Sequence, residues 1–568
     1  MKFKNPSRIS IVSSLILAFG LLLIIRLFFI QIVHGRSYQT IALRQYATPV
    51  GNIFERGSIF FTSKDGELTN AATLTSGFKL AINPKLITNA ENLYTEISPI
   101  VTIDHDTFVN SANKKTDPYE EIATQLTKEQ ADAITALKED SLSVYQEKWR
   151  FYPPANLAAQ TIGFVAYKGD NLGGRYGLER QYDSVLSRAH DLLSVNFFAE
   201  VFSDLSDSVF KNKTDEGDVA TSIEPSVENF LNDELVSIDN AYHSDASGAI
   251  IINPKDGSIY AMASTPNFDL NNFQKEKNPA VFENPLVENV YEIGSVVKAI
   301  TIAAGIDAGV VTPETKYEDP GFVIVNTKRI NDYDHKAKGM TSMQDVMNHS
   351  LNTGAVYVMQ HLGQAKFRDY MLSFGVNDKT GIDLPNETSG LTNNLHSTRD
   401  VEYATASFGQ GIAMTPIEAA RSFSAIANGG NLVTPHVASS IVYMQGGTKQ
   451  FTYPTIPTKI SQKTSETVTR MLVTAIDQGI LNGQLKLDHY SVAGKTGTAQ
   501  MANPAGGYYP DRYLHSFFGY FPAYDPKFLI LIYTVNPHGV DYAANTIAHP
   551  FMDTVKFLIN YYNIPPDR

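Results

Sequence analysis

The chain has 568 residues, which is too long for one compact domain. Hydrophobic residues make up 43% of it, which is enough to form a sizeable core. Its 46 Lys and Arg residues are outnumbered by 59 Asp and Glu residues, giving a formal net charge of −13. That charge argues against a general nucleic-acid binder, whose phosphate contacts need a basic surface. The absence of cysteine excludes thiol catalysis, Cys-ligated zinc, iron–sulfur clusters and disulfides.

The N-terminus predicts a membrane anchor at residues 9–33. This run is almost wholly apolar, interrupted only by small hydroxyl side chains, Arg26 and Gln31, and a bilayer core needs about 20 such residues in a helix. The alternatives are a buried soluble helix and a cleaved signal peptide, but residues 34–37 form a poor cleavage site. Residues 1–8 are basic and contain no acid, which predicts a cytoplasmic tail and an extracytoplasmic chain beyond the anchor.

Beyond the anchor the sequence predicts two domains. Residues 34–220 mix short strands, helical stretches and loops, with a helix predicted at 119–140 and a loop at 167–175. Residues 221–568 predict a helix, two strands joined by a turn at 254–257, a long helical series, three strands and a final amphipathic helix. Strands at both ends of this domain, with helices between them, predict an α/β (α+β) fold whose N- and C-terminal segments share one sheet.

Three short motifs are candidates for chemistry, namely Ser295-Val-Val-Lys298, Ser350-Leu-Asn352 and Lys495-Thr496-Gly497-Thr498. Each is weak alone, because Ser-x-x-Lys also begins at Ser76, Ser111 and Ser208, and Lys-Thr-Gly also begins at Lys379. Any single copy can be interpreted without catalysis, as a capping serine, a surface lysine or a turn.

Local context separates the favoured copies from the others. Ser295 opens an apolar helix, whose free backbone N–H groups can stabilise an oxyanion, and Lys298 follows one turn later on the same face. Ser350 lies between two helical stretches, a position where side chains point into a cleft. Lys495 lies within a strand between glycines that allow close approach of a ligand strand.

A serine nucleophile needs a neighbouring base at neutral pH. No Gly-x-Ser-x-Gly elbow is present to support activation by histidine. Lys298 is the available base, provided that its amine is neutral. Burial and the positive charge of Lys495 both act to lower the pKa of Lys298, which is the direction required.

In this order the three motifs are those of penicillin-binding proteins and serine β-lactamases, and the chain resembles the class B penicillin-binding proteins, the monofunctional D,D-transpeptidases of peptidoglycan synthesis. Further stretches similar to that family are residues 407–430, 492–500 and 517–526, Arg56-Gly57-Ser58-Ile59, and Gly177-Leu178-Glu179. Two departures occur: Glu292 and Ile293 replace the usual variable-Pro pair before the serine, and Phe61 and Thr62 replace a usual Asp-Arg pair.

The resemblance implies a D-Ala-D-Ala stem peptide as substrate, with no cofactor and no metal. Ser350 is then expected to relay a proton to the leaving amine, and Asn352 to hold the substrate amide. The terminal carboxylate is expected to bind at Lys495 and at the two threonines and glycine that follow it. An acyl-enzyme on Ser295, with an oxyanion hole at the backbone N–H groups of Ser295 and Thr498, is expected to be resolved by an amine of a second stem peptide.

The resemblance also implies the domain order and the partners. The expected domains are a cytoplasmic tail at 1–8, an anchor at 9–33, an elongated pedestal for dimerisation or interaction at 34–220, and a penicillin-binding transpeptidase domain with a central antiparallel sheet flanked by helices at 221–568. The protein is expected to be single-pass in the bacterial plasma membrane, to be acylated by β-lactams, and to work beside a multi-span glycan polymerase and other division proteins. Arg26 is a candidate contact with that polymerase, or an arginine that snorkels to head groups.

Other functions fit less well. A P-loop would need glycine where His489 stands, and Glu387 and Glu402 lie in contexts unlike that of a deacylating glutamate. A β-lactam sensor in the membrane and a catalytically silent scaffold remain alternatives of a different class. Among transpeptidases, the overall length of the chain and the character of its motif stretches favour a role in septal cell division over one in side-wall elongation.

Overall fold

The computed structural model describes residues 55–168, 171–188 and 216–568, together with helical residues 17, 19–23, 26 and 27. Most of the predicted anchor at 9–33, and the whole tail at 1–8, lie outside the described residues. Within the described parts of the chain, no helix combines the length and the apolar character that a membrane crossing needs. The anchor therefore stays a prediction.

The strands are numbered in chain order. They are β1 Ile59–Thr62, β2 Leu68–Ile82, β3 Glu120–Leu126, β4 Leu142–Phe151, β5 Val165–Lys168, β6 Asn171–Gly174, β7 Gly217–Thr221, β8 Ala246–Ile252, β9 Ile259–Thr265, β10 Lys316–Asp319, β11 Phe322–Val325, β12 Lys328–Asn331, β13 Gly339–Ser342, β14 Asn431–Leu432, β15 Ala438–Tyr443, β16 Thr448–Gln450, β17 Ile456–Pro457, β18 Ala493–Ala502, β19 Tyr508–Phe521 and β20 Phe528–Val535.

The α-helices are numbered in the same way. They are α1 Ala90–Ile97, α2 His105–Ala112, α3 Lys128–Ala136, α4 Ala159–Ile162, α5 Gly177–Gln181, α6 Asp183–Leu186, α7 Pro225–Tyr242, α8 Pro285–Glu288, α9 Lys298–Asp307, α10 Met343–His349, α11 Asn352–Leu362, α12 Gln364–Ser373, α13 Asp400–Ala406, α14 Pro416–Ala427, α15 Gln462–Thr474, α16 Ala543–Thr546 and α17 Ala548–Tyr561.

The chain packs into two compact units. The described part of the smaller unit comprises residues 17, 19–23, 26, 27, 55 and 75–149. Here β2 pairs antiparallel with β3, with Ile82 opposite Glu120, and β4 also pairs with β2. Leu80, Ile97 and Phe108 lie in the core that joins this sheet to α1 and α2.

The helix predicted at 119–140 is wrong over its first third. Residues Glu120–Leu126 form β3, and only Lys128–Ala136 form a helix, which begins at a capping box of Thr127 and Gln130. The β-strand pairs with β2, so a tertiary contact overrides the helical spacing of the sequence. The loop predicted at 167–175 is also wrong for most of its length, because β5 and β6 pair antiparallel.

The larger unit comprises residues 56–74, 150–168, 171–188 and 216–568 among those described. Its main sheet has five antiparallel strands in the order β18–β19–β20–β8–β9. The strands after residue 490 thus pair with those near residue 250, which confirms the predicted joining of the two ends of the domain. The central sheet with flanking helices is confirmed as well.

Both faces of this sheet are buried. Along β8, Ile250 and Ile252 point into one apolar cluster, whereas Ala249 and Ile251 point into the other, as the two-residue period of a strand requires. Helices α7 and α17 supply the cover for the second face. Continuous apolar runs such as Ala249–Ile252 suit strands that are covered on both sides.

A buried ion-pair network in the larger unit joins the stretches around Arg56 and Glu179 that resemble the family pedestal. Arg56 donates to one oxygen of the Glu179 carboxylate (2.6 Å) and Arg150 to the other (2.5 Å). Tyr152 donates to the same carboxylate at 3.3 Å, and Arg150 also donates to the carbonyl of Gly57. The Arg-Gly and Gly-Leu-Glu stretches are therefore two halves of one structural contact.

Candidate active site

Ser295 lies in a tight turn that only glycine neighbours permit. The turn is a 3-10 helix at Gly294–Val297, which leads directly into α9. Gly294 has φ +66°, and a β-carbon there would lie 2.8 Å from the carbonyl oxygen of Thr498. A β-carbon on Gly409, which has φ +81°, would lie 2.1 Å from the carbonyl of Gly294. These contacts place the half-buried Ser295 against strand β18.

Lys298 is buried completely, and its amine points toward the next motif. Nζ donates to the Ser350 carbonyl oxygen (2.5 Å) and to the Ser350 hydroxyl (3.2 Å). Burial, first of all, and the charge of Lys495 hold the pKa of Lys298 well below its ordinary value, while Asp332 acts in the opposite direction. Lys298 therefore tends toward the neutral amine, which is the form that can accept a proton.

Ser350 and Asn352 occupy a turn between two helices. Helix α10 begins at a capping box of Ser342 and Asp345 and ends at His349, and Ser350 caps its C-terminus with φ +56°. Asn352 begins α11, and its side-chain amide donates to the carbonyl of Asn331 at 2.8 Å. The left-handed residue turns the chain sharply, so that both side chains reach the same side of the fold.

Lys495 is the third residue of β18, which is an edge strand of the main sheet. Its side chain is almost fully buried, and Nζ donates to the carbonyl of Thr496 at 3.0 Å. Burial lowers the pKa of Lys495 to about 7. An edge strand has backbone N–H and C=O groups free to pair with an extended ligand, and a partly charged amine beside that edge suits a ligand with a carboxylate.

Gly497 and Thr498 fix the position of this edge relative to Ser295. A β-carbon on Gly497 would lie 2.5 Å from the carbonyl of Ile293, so only glycine lets β18 approach the nucleophile turn. Ser516 on the neighbouring strand donates to the same carbonyl at 2.7 Å. The Thr498 hydroxyl accepts from the backbone N–H of Ala543 at 3.1 Å.

One cleft of about 870 Å³ brings the three motifs together. Of the eight candidate residues from the sequence, six line it: Ser295, Ser350, Asn352, Lys495, Thr496 and Thr498. The other two are next to residues that line it: Lys298 contacts Ser350, and Gly497 lies in β18 between the two threonines. The arrangement holds a nucleophile, a buried amine and a cation along an open strand edge.

Other residues that line the cleft belong to none of the three motifs and were not predicted, including Arg329, Asp332, Tyr333, His335 and Gln410. Asp332 accepts hydrogen bonds from the backbone N–H groups of Asn352 and Thr353. The stretch Asn331-Asp332-Tyr333-Asp334 carries no motif, so no signal in the sequence alone distinguishes Asp332 from a loop aspartate.

The competing motif copies have structural roles where the structure describes them. Lys79 and Lys114 pair with Glu121 and Glu120 at 2.9 and 2.8 Å, and the copy at 208–211 lies outside the described residues. In the second Lys-Thr-Gly stretch, Thr380 donates to the carboxylate of Glu387 through its hydroxyl at 2.6 Å. Glu387 thereby anchors a loop.

A metal site finds no support in the parts of the chain that the structure describes. No group of three or more His, Asp and Glu side chains there is arranged to hold an ion.

Comparison with known proteins agrees with this geometry. Residues 247–555, more than half of the chain, match the family described as penicillin binding protein transpeptidase domain, and residues 55–192 match the penicillin-binding protein dimerisation domain. The chain is 29% identical over 556 residues to stage V sporulation protein D of Bacillus subtilis, covering 95% of this chain and 84% of that protein. It is 26% identical to the peptidoglycan D,D-transpeptidase FtsI of Buchnera aphidicola subsp. Schizaphis graminum, covering 98% and 95%.

Solved structures share the fold. Penicillin binding protein 3 of Mycobacterium tuberculosis, complexed with aztreonam, aligns with a TM-score of 0.69 at 22% identity over 91% of this chain and 98% of that one. Penicillin binding protein 2X of Streptococcus thermophilus aligns with a TM-score of 0.72 at 19% identity, over 90% and 81%. With a transpeptidase domain that matches most of the larger unit and a dimerisation domain before it, the chain belongs to the class B penicillin-binding proteins and is a transpeptidase.

Proposed function

We propose that the chain is a peptidoglycan D,D-transpeptidase that cross-links stem peptides through an acyl-enzyme on Ser295, and that it does so during septal cell-wall synthesis. The observation that carries this proposal is the buried amine of Lys298, which contacts Ser350 behind the cleft that Ser295 and Lys495 line. A buried lysine with a lowered pKa supplies the base that a serine nucleophile needs.

The first half-reaction removes the terminal D-Ala. Ser295 Oγ attacks the carbonyl carbon of the penultimate D-Ala and passes its proton to Lys298 Nζ. The C–N bond to the terminal D-Ala then breaks, and the leaving amine receives a proton through the Ser350 hydroxyl, which lies 3.2 Å from Lys298 Nζ. An ester between Ser295 and the donor stem peptide remains.

The second half-reaction forms the cross-link. An amine of a second stem peptide attacks the ester carbonyl, its proton returns through Ser350 and Lys298, and the Ser295 oxygen leaves as the hydroxyl. Both half-reactions pass through a tetrahedral oxyanion, for which the backbone N–H groups of Ser295 and Thr498 are the proposed donors.

Strand β18 is the proposed binding site for the donor peptide. The substrate adds to the free edge of the sheet, and its terminal carboxylate lies against Lys495, Thr496, Gly497 and Thr498. Charge pairing with the carboxylate raises the pKa of Lys495 above the value of about 7 that burial gives the empty site, so binding is linked to proton uptake. Asn352, whose orientation is set by the carbonyl of Asn331, holds an amide of the substrate.

β-Lactams are proposed to acylate the same serine, since the M. tuberculosis relative of known structure is complexed with aztreonam. The name of the relative FtsI, a peptidoglycan D,D-transpeptidase, supports a role in septal wall synthesis. The proposed location is the bacterial plasma membrane, with residues 9–33 as a single-pass anchor and the catalytic unit outside the cytoplasm. A multi-span glycan polymerase and other division proteins are the proposed partners, with Arg26 as one contact.

The test is to label the full-length protein with a fluorescent penicillin and to map the modified peptide. Label on Ser295 that disappears in Ser295→Ala supports the proposal. Label on Ser76, Ser111 or Ser208, or label that survives in Ser295→Ala, contradicts it. Release of D-Ala with formation of a dimeric stem peptide separates a transpeptidase from a β-lactam sensor, and filamentation on depletion separates a septal role from an elongation role, for which round cells are expected.

A further inference from the structure

A buried carboxyl group holds the turn that carries Ser350 and Asn352. Oδ1 of Asp332 accepts from the backbone N–H groups of Asn352 and of Thr353, the latter at 3.1 Å. These are the first two N–H groups of α11, which have no partner within the helix. Because Asp332 is only 1% exposed, its contact fixes where the helix begins, and therefore where the Ser350–Asn352 turn lies.

The hydroxyl of Thr353 has one proton but lies within hydrogen-bond distance of three oxygen atoms. It lies 2.9 Å from Oδ1 of Asp319, 3.0 Å from Oδ2 of Asp332 and 2.9 Å from the hydroxyl of Tyr317. A threonine hydroxyl donates one hydrogen bond and accepts up to two. If both carboxyl groups were anions, only one of them could accept this single proton. The other would face a lone pair of the hydroxyl oxygen. A fully bonded network therefore needs one further proton on a carboxyl group.

The donors around the two carboxyl groups show which one holds that proton. Asp319 accepts backbone N–H groups on both oxygens, from Gly321 at Oδ1 (2.9 Å) and from Lys338 at Oδ2 (3.2 Å). Lys338 shares this N–H with the main-chain carbonyl of Asp319. Asp332 accepts its two N–H groups on Oδ1 alone, and its Oδ2 faces the Thr353 hydroxyl. Each oxygen of Asp319 thus already faces a backbone N–H group, whereas Oδ2 of Asp332 faces none in the described part of the chain, so the proton belongs on Oδ2 of Asp332.

We propose that Asp332 is a positioning residue that works in its protonated form, in which Oδ2–H donates to Thr353 while Oδ1 holds the Ser350–Asn352 turn in place. The inference rests on the proposed catalytic function of that turn. Burial raises the pKa of Asp332, which favours the same form. The titratable groups that act on Asp332 or on its hydroxyl partner are Lys298 from α9, Asp319 and Tyr317 from β10, and Tyr333 from its own loop.

Protonation of Asp332 also favours the neutral form of the Lys298 amine. An ionised Asp332 acts to raise the pKa of Lys298, and would thereby stabilise the ammonium that cannot act as a base. A neutral Asp332 holds the turn through the same hydrogen bonds and leaves the amine neutral at lower pH.

The experiment compares acylation of the full-length protein by a fluorescent penicillin in the parent, Asp332→Asn and Asp332→Ala. Asparagine reproduces the protonated carboxyl, because Oδ1 accepts the two N–H groups and the amide donates to Thr353. We expect Asp332→Asn to keep the acylation rate to within about threefold, since one neutral hydrogen bond replaces another. We expect Asp332→Ala to be slower by about 100-fold, because the turn is displaced from the reacting groups.

The pH profile tests the protonation state. If the parent holds a neutral Asp332, then Asp332→Asn removes no charge, and the acid limb set by Lys298 falls at the same pH in both proteins. A limb that moves to lower pH in Asp332→Asn shows that the parent carboxyl is ionised, and overturns that part of the inference. Acylation of Asp332→Ala at the parent rate overturns the positioning role.

Asp319→Asn is the matched control. The same change at the other carboxyl removes the anion and turns an amide toward a backbone N–H group, so we expect it to lower the unfolding temperature, whereas Asp332→Asn leaves that temperature unchanged. If Asp332→Ala does not fold, the comparison of Asp332→Asn with Asp319→Asn still decides which carboxyl is neutral. Mapping of the label to Ser295 in the parent separates failure of this inference from failure of the proposed function.

Discussion

The amine of Lys298 lies 2.5 Å from the carbonyl oxygen of Ser350 and 3.2 Å from its hydroxyl, so residues of the first and second motifs form one hydrogen-bonded pair. The carbonyl contact orients the amine whatever its charge, while the hydroxyl contact gives a proton a path out of the buried position. A single base behind the cleft can thus serve both the nucleophile and the leaving group.

Replacement of Lys298 tests its role as the base. We expect Lys298→Ala to slow acylation by about 10²–10⁴-fold, which is the usual worth of general-base help. Lys298→Arg is expected to be slowed similarly, because arginine keeps its proton at every accessible pH. Stopped-flow measurement with a fluorescent penicillin gives the rate, and the unfolding temperature reports whether the fold is intact. Acylation of a folded Lys298→Ala at the parent rate would mean that another group takes the proton.

Lys495 is expected to set the alkaline limb of the acylation profile. Burial lowers its pKa to about 7 in the empty site, so the charge that pairs with the ligand carboxylate is lost as pH rises through that value. The second-order rate constant of acylation, which reports the free enzyme, should therefore fall above about pH 7.

Lys495→Arg supplies the comparison. Arginine stays charged at high pH, so the alkaline limb should disappear, although the absolute rate should be lower because the planar guanidinium does not replace a compact ammonium. A β-lactam with an esterified carboxylate should show no such limb with the parent protein. An alkaline limb that is unchanged in Lys495→Arg would have to come from another residue.

The main sheet and the helix that follows Ser295 are the parts of the molecule that the sequence predicts most closely. The apolar runs after residues 246 and 528 predict strands, and in the structure these strands, β8 and β20, pair antiparallel. The apolar helix predicted after Ser295 is α9. Local sequence carries this information because a strand buried on both faces and a helix start have their own residue patterns.

Asp332 and the strand β3 show what local sequence lacks. Asp332 acts on residues 20 and 21 positions later, through a turn whose position depends on the packing of β12 and α11. Residues Glu120–Leu126 have helical spacing but pair with β2. In both cases a tertiary contact decides the role or the conformation of the residues. Such a contact produces no periodicity and no compositional bias in the local sequence.

Glu179 is predicted to be essential for the stability of the larger unit. It accepts from Arg56 and Arg150 at 2.6 and 2.5 Å and is fully buried. Glu179→Ala leaves two guanidinium groups without their buried partner, so we expect it to lower the free energy of unfolding by about 3–5 kcal/mol. Asp553→Ala, which breaks the exposed pair with Lys556, should change it by about 1 kcal/mol or less. Urea denaturation of both variants makes the comparison, and equal effects would contradict the structural role of Glu179.

Glu228 predicts a pH dependence of stability. Its carboxyl is fully buried on α7, where one oxygen accepts from the backbone N–H of Met262 at 2.6 Å and the other has no hydrogen-bond partner. Burial raises the pKa of Glu228 to about 7 in the folded protein, compared with about 4.3 in an unfolded chain. The folded state thus keeps a proton that the unfolded state releases between these values. The free energy of unfolding should fall by about 3 kcal/mol as pH rises from about 4.3 to about 7, and then stay level with respect to this group.

Glu228→Gln isolates that effect. Glutamine keeps an acceptor for the Met262 N–H group but does not ionise, so the variant should lose this pH dependence and be more stable than the parent above about pH 7, by about 1–3 kcal/mol after the cost of an unpartnered amide. Asp233→Asn, on an exposed position of the same helix, should follow the parent curve at every pH. Denaturation curves across the pH range give the difference between Glu228→Gln and the parent. A difference that is the same at low and high pH would show that Glu228 ionises at its ordinary pKa, and that the buried carboxyl has solvent or a cation within reach.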